Sequence, residues 1–536
     1  MMRIAIALTL IGALLAPSAG AKTRNGSIAP YIELGQVLTY DVNGSDVLTY
    51  SALAAGIDAS IQTKRTQVQL SYRYEHRFSE SGRLTDSDIH SGLARANVAL
   101  RRGLTIEGGA LAARARSDAR GAAPGLLVGN VANISQVYSL YAGPSLGTHI
   151  GQVGVSGSYL YGYTKVEAPA FTGVDPNQPR LDVYDASHNQ MAQASLNVKS
   201  GVILPVGLTV SGAWERDEAS QLSQRFDGKY ARGDVIWPVL PTLALTAGAG
   251  YEKIEVSQRD PLLDGSNQPV VDARGRFVAD TRTPRHIAYN FDGLYYDAGV
   301  VWRPSPRTSL TARLGERYGS TSFTGSFTYQ PNRSVAAAIS VYDGVTTFGR
   351  QLRDGIGNLP TSFSTSPSIL GQDYNGCVFG AGGSDSGSAG GCLNGVFQSI
   401  STAAFRARGV DGVVTVSRGR LRYGLGAGYT NRTYLAGNGA GAFSIDDVTD
   451  ESFYIQAFAG LALDNRTSVD VNAYGNYYSS GIAGAPGVYG VGGAASIARR
   501  YGRLSARGAV GIYSFAQDGA QAVVSVNAAI GARYQF

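Results

Sequence analysis

Residues 67–78 read QVQLSYRYEHRF. Val68, Leu70, Tyr72, Tyr74 and Phe78 alternate with Gln69, Ser71, Arg73, Glu75 and Arg77. Two is the strand period: successive side chains point to opposite faces, so one face here is apolar and aromatic while the other carries a row of charge. In a soluble sandwich the apolar face would meet the core. In a transmembrane barrel it would meet lipid, and the charged face would line the lumen. The rest of the chain decides between them.

The same alternation recurs in SALAAGIDASIQ (51–62), GLARANVALRRG (92–103), LRYGLGAGYTNRTY (421–434), TSVDVNAYGNYY (467–478) and VVSVNAAIGARYQF (523–536). Such segments number about 22, within an even range of roughly 16 to 22, and each is near the ~10 residues that a tilted membrane strand needs. Their connections alternate as well. Tight turns at 63–65, 101–103, 303–309, 331–334, 417–420, 464–467 and 499–503 follow even strands, whereas long loops at 114–133, 165–190, 257–292, 343–403 and 436–450 follow odd ones. Short turns at one end and long loops at the other predict an all-β, antiparallel up-and-down barrel, with periplasmic turns and extracellular loops.

Composition agrees. The 536 residues include 70 glycines and 31 tyrosines, and only 16% are charged, which suits pleated sheet with glycine turns better than helix. A basic start, the apolar run of residues 4–15 and small residues at Ala19 and Ala21 predict a signal peptide over residues 1–21. No later window has the ~18 apolar residues of a membrane helix. Residues 22–536 are therefore expected to form a single transmembrane barrel, with no plug domain ahead of the first strand, which argues against energy-coupled siderophore uptake. A lumen this wide predicts an inward-folded loop, for which residues 343–403 are the candidate. That segment holds both cysteines, and an exported chain favours a disulfide between Cys377 and Cys392.

Motifs for chemistry are weak. GLGAGYTN (424–431) and GVYGVGGAA (487–495) continue into strand instead of opening a helix, so they read as glycines thinning an inner wall rather than as a dinucleotide fingerprint. The five histidines are isolated, and no metal spacing occurs. His188, beside Asp185 and Ser187, is the one place where a barrel hydrolase could be imagined; adjacent turn formers are the plainer reading. The acidic stretches 260–268 and 444–452 lack calcium-loop spacing. The net charge of +6 is scattered rather than gathered in a stripe, which speaks against nucleic acid. No cofactor, metal or enzymatic activity is expected.

The distributed signal is the inner face: Asp58, Arg73, Glu75, Arg77, Arg95, Glu107, Lys199, Glu215, Asp297, Arg313, Arg317, Arg422, Asp470, Arg507 and Arg533. A wet wall of both signs suits passage of polar solutes, and Arg73 and Arg77 are expected to line that path. The alternative is that these charges pair and seal the barrel.

The chain ends on Tyr534 and Phe536, both on the apolar face of the last segment. This resembles the terminal aromatic signal of bacterial outer-membrane β-barrel proteins, and the whole is loosely similar to the barrels found beside exopolysaccharide export systems of Gram-negative proteobacteria. The resemblance implies an outer-membrane location among lipid and lipopolysaccharide, with the barrel assembly machinery as a partner. The expected function is a porin-like channel or export conduit for polar solutes, polysaccharide among them. The alternative is a non-conducting barrel that displays its loops for adhesion or surface organisation.

Overall fold

From Gly26–Asp41 to Val523–Gln535 the chain forms strands of 10 to 20 residues that pair antiparallel with their neighbours or, once, across a long loop. The last strand returns to the first, with Gln535 opposite Tyr31 and Ser525 opposite Asp41. The result is a closed ring of 22 strands. Closure leaves no strand edge, so the ladder satisfies the backbone polar groups internally, which is the condition for crossing hydrocarbon. This computed structural model describes residues 26–44, 47–80, 86–121, 133–169, 181–266, 268–366, 368–370, 372–381, 389–398, 400–436 and 445–536. The expected signal peptide, residues 1–21, lies outside them.

Alternation sorts the side chains as the sequence suggests. Outward positions carry Leu34, Ile150, Leu294 and Ile530, the last two 77% and 70% exposed. Apolar side chains this bare around a closed ring fit lipid and not water. Strand Thr66–Ser79, which contains QVQLSYRYEHRF, turns Tyr72 and Tyr74 outward. There Tyr72 Oη lies 2.7 Å from His90 Nδ1, and the Tyr74 hydroxyl donates to Asp88 at 2.6 Å. Tyr161 Oη and His188 Nδ1 form a matching 2.7 Å pair farther round the ring. Such amphipathic rings mark the rim of the lipid belt. The fold is that of a bacterial outer-membrane β-barrel.

The alternation of connections also holds. Turns after even strands are short, as at residues 102–103, 151–152 and 241–242, and the long loops 259–285 and 347–403 follow odd ones. The shortest loop-side connection has two residues: Tyr318 and Gly319, with φ of 56° and 67°, join Thr308–Arg317 to Ser320–Asn332. Two successive positive φ values make the type of tight hairpin that matches strand twist.

The described residues between 347 and 403 fold into the barrel. Their helix, α1 (Phe348–Asn358), starts at Thr347, whose hydroxyl accepts the Arg350 N–H. Phe348, Leu352 and Ile356 recur at four-residue spacing and form one buried stripe. That stripe packs on Leu93, Leu111, Ala113, Val137 and Tyr141 of the inner wall. Farther along, Ile369 sits among Val37, Ala509 and Ala529. The hairpin Cys377–Phe379 with Gly390–Cys392 packs near Val413, Tyr454 and Phe458. Its register pairs Cys377 with Cys392, and a disulfide joins them. Residues 382–388 lie outside the described residues.

Wall glycines make room for this insert. A Cβ on Gly426 would come within 2.5 Å of Cys377 Sγ, and one on Gly531 would collide with the Ile369 side chain and the Leu34 carbonyl. Of the glycines in GLGAGYTN, Gly424 and Gly426 are therefore seats for the inserted loop, whereas Gly428 makes room for the wall side chains of Asp411 and Tyr454.

Candidate functional site

Wall arginines fasten the inserted loop by its backbone. Arg95 donates from Nη2 to the Gly357 carbonyl at 2.7 Å and from Nε to the Leu359 carbonyl at 3.1 Å. These lie at the C-terminal end of α1, where carbonyls lack intrahelical partners and a cation is favoured. Arg432 reaches the Val396 carbonyl at 2.9 Å, Gln351 Oε1 at 2.6 Å, and the Gly395 carbonyl. Arg114 pairs with Asp373 at 2.6 Å. Gln69 imitates a strand neighbour, its amide donating to the Phe363 carbonyl and accepting the Phe363 N–H, both at 2.8 Å. In the other direction, the loop's Arg350 and Arg353 reach back to Glu215 and Asn189.

A second set of charges is paired along the wall. Arg73 bridges Glu33 at 2.8 Å and Glu75 at 2.6 Å; Arg77 holds Glu75 at 2.5 Å, and Arg507 holds Glu33 at 3.0 Å. Arg533 pairs with Asp58 at 2.6 Å. The expectation that Arg73, Glu75 and Arg77 form a wet ladder is corrected in part: Glu75 and Arg77 are 4% and 6% exposed. Arg95 is likewise covered, because α1 ends on top of it.

The wall that the insert leaves uncovered is built differently. Strands Arg225–Leu240, His286–Ser305 and Thr308–Arg317 bring two arginines and two aspartates together. Arg232 lies 2.8 Å from Asp234 and 2.7 Å from Asp297, and Arg313 lies 2.6 Å and 3.0 Å from the same two carboxylates. Two cavities of about 250 and 480 Å³ share Arg232 and Tyr295 in their walls. Nearer the loop end, Arg317 pairs with Glu252 and Arg406 with Asp343. On the turn side of the insert, a third cavity of about 380 Å³ is lined by Asp58, Arg73, Arg422, Asp470, Arg507 and Arg533, among others.

The outer mouth is knitted by Asp182. Its carboxylate accepts the Phe277 N–H at 2.9 Å and the Gln221 amide at 2.7 Å, while its carbonyl accepts the Thr402 N–H at 3.2 Å. One residue thus joins three extracellular loops to the exit of the insert. Burial pushes its carboxyl up to about 7, against hydrogen bonds and the charge of Arg276, which pull it down.

Of the remaining sequence-predicted residues, Asp297, Arg313 and Arg317 belong to the uncovered wall, and Glu215 to the seat of α1. Glu107 faces inward between Asn97 and Gly143. Lys199 is corrected: its strand ends at Val198, which leaves it on an exposed turn. Tyr534 and Phe536 pack edge to face at the outer surface, with ring centroids 5.2 Å apart. His188 points outward to Tyr161, Ser187 inward to Tyr184, and Asp185 to Arg276, so the three adjacent residues do not converge. Among the described residues no cluster of potential metal ligands occurs. Sequence reasoning missed Gln69, Arg114, Arg232, Asp234 and Arg432 as functional positions. Alternation in KYARGDVIW (229–237) puts Arg232 and Asp234 on one face and could have found them; the contacts of Gln69 and Arg432 depend on where the insert lands.

No protein-family model matches the chain, and neither does any curated protein. Solved structures do show similarity. The FrpB iron transporter from Neisseria meningitidis shares 10% identity over 96% of this chain and 82% of its own, at a TM-score of 0.42. The ferric-catecholate import receptor Fiu from E. coli K12 gives 10%, 97%, 82% and 0.46. The siderophore receptor PirA from Acinetobacter baumannii gives 9%, 96%, 81% and 0.39.

Proposed function

We propose that this barrel is a porin-like conduit in which small polar solutes pass beside the inserted loop along the uncovered wall. One observation carries the reading: where the insert does not pack, the wall keeps two cavities that meet at Arg232, one of them lined by charges of both signs, Arg232, Asp297 and Arg313 among them, with Asp234 paired to the same arginines. Opposed charges across a narrow wet path set up a transverse field, which orders polar solutes and selects among ions. Polysaccharide export would be a narrower case, and cavities of a few hundred Å³ favour small solutes over a polymer. The divergence of Asp185, Ser187 and His188 supports transport rather than catalysis.

The second reading, a sealed barrel that displays its loops, draws on the insert itself, which buried arginines fasten on several sides. Planar-bilayer recordings separate the two. The conduit reading expects conductance from the purified protein, and a reversal potential that moves toward anion preference in the Asp234→Asn, Asp297→Asn double variant. Silence at all voltages and salts would sink it.

A further inference from the structure

The turn-side cavity lies apart from the uncovered wall, and its charge is not balanced. Arg73, Arg420, Arg422, Arg507 and Arg533 line it against Glu33, Asp58 and Asp470. Two of the three carboxylates are already committed: Glu33 to Arg73 and Arg507, and Asp58 to Arg533 and the Ser71 hydroxyl. Arg422 makes no hydrogen bond or ion pair among the described residues, although it faces the cavity from strand Leu421–Leu435. Its register neighbour is Gly460, whose bare backbone leaves room for the carboxylate of Asp470 on the next strand, so Asp470 is the acidic group that faces Arg422 across the cavity wall. The buried Nε atoms of Arg73 and Arg507 also lack partners. The roof comes from the insert, through Thr365, Ser366 and Ser368.

From this geometry we infer that the cavity is a binding site for a small anionic solute with carboxylate or phosphate oxygens, and that Arg422 is its main contact. A guanidinium presents a planar fork of donors that matches such oxyanions. A half-enclosed wall strengthens that attraction relative to open water. About 380 Å³ falls within the size of small-molecule sites, and the polar roof residues could meet further polar groups of the solute. The site does not depend on conduction, because a barrel that passes nothing could still bind at its periplasmic mouth.

The test is calorimetric titration of the purified full-length protein in detergent with gluconate, inorganic phosphate and glucose. Saturable binding of gluconate or phosphate is expected, with none of glucose, and whichever anion binds tighter names the source. Arg422→Gln should weaken the binding roughly tenfold or more, while Arg408→Gln, near the loop end, leaves it unchanged. Asp470→Asn should tighten it by removing a repelling carboxylate, a gain that misfolding cannot imitate. The inference is overturned if glucose binds as well as gluconate, if neither anion saturates, or if Arg422→Gln binds like the unaltered protein.

Discussion

Two stretches of inner wall use arginine for different ends. Beneath the insert, the strands around Arg95 and Arg114 present Leu93, Leu111, Val137 and Tyr141, and Arg95 donates to two backbone carbonyls of the loop as well as to the wall's own Tyr141 hydroxyl. Across the barrel, Arg232 and Arg313 meet Asp234 and Asp297, and cavities remain beside them. An arginine facing a carbonyl fixes a chain in place. Facing a carboxylate in an uncovered wall, it shapes a field and leaves the path open. The partner alone does not separate a sealed wall from a wet one, since Arg114 beneath the insert also meets a carboxylate, that of Asp373; cover by the insert decides.

Removing the insert should have the largest effect on this contrast. Replacement of residues 348–402 by a short Gly-Ser link is expected to raise single-channel conductance several-fold, because a ring of 22 strands encloses far more space than side chains alone fill. Equal conductance with and without the insert would mean that it obstructs nothing.

Arg77→Glu comes next, and it separates buried pairing from a wet lining. It would place two carboxylates together at a site where Glu75 is 4% exposed, and breaking such a pair costs about 3–5 kcal/mol. A lowered unfolding midpoint with an unchanged reversal potential is expected. A shifted reversal potential would return Arg77 to the solute path. Arg95→Ala should cost less, about 1–3 kcal/mol in all, because the carbonyls at the helix end can turn to water once the side chain is gone, and the loss should be local. Faster hydrogen exchange at the end of α1, with the strands unaffected, is the outcome to look for.

Alternation and loop parity made the barrel legible, because both follow from period-two geometry and from the two unlike ends of a membrane barrel. QVQLSYRYEHRF told which face was which. It did not tell what its charged row touches, since Glu33 lies on another strand and the insert that covers Arg77 comes almost three hundred residues later. The wall glycines were legible as thin places, and Gly426 shows what fills one of them: a disulfide hairpin. Long-range partners of this kind leave no local period. Lys199 failed for a local reason, because alternation was carried one residue past the strand end at Val198.

The smallest expected effect concerns the outer end of the covered wall. Asp182 ties extracellular loops to the exit of the insert, and burial raises its carboxyl to about 7, from roughly 3.9 in an unfolded chain. A raised folded-state value means that the native loops favour the protonated acid. Their stabilisation is therefore complete below about pH 4 and is lost as pH rises through 7. Hydrogen exchange at Tyr184, Phe277 and Thr402 should accelerate between pH 5 and pH 8 by more than the intrinsic chemical rate. Asp182→Asn, which keeps a neutral group of the same shape, should remove that excess while leaving the amides of α1 unchanged. If the variant keeps the full pH response, another group governs the outer mouth, and the tie between loops and insert at Asp182 is structural without being titratable.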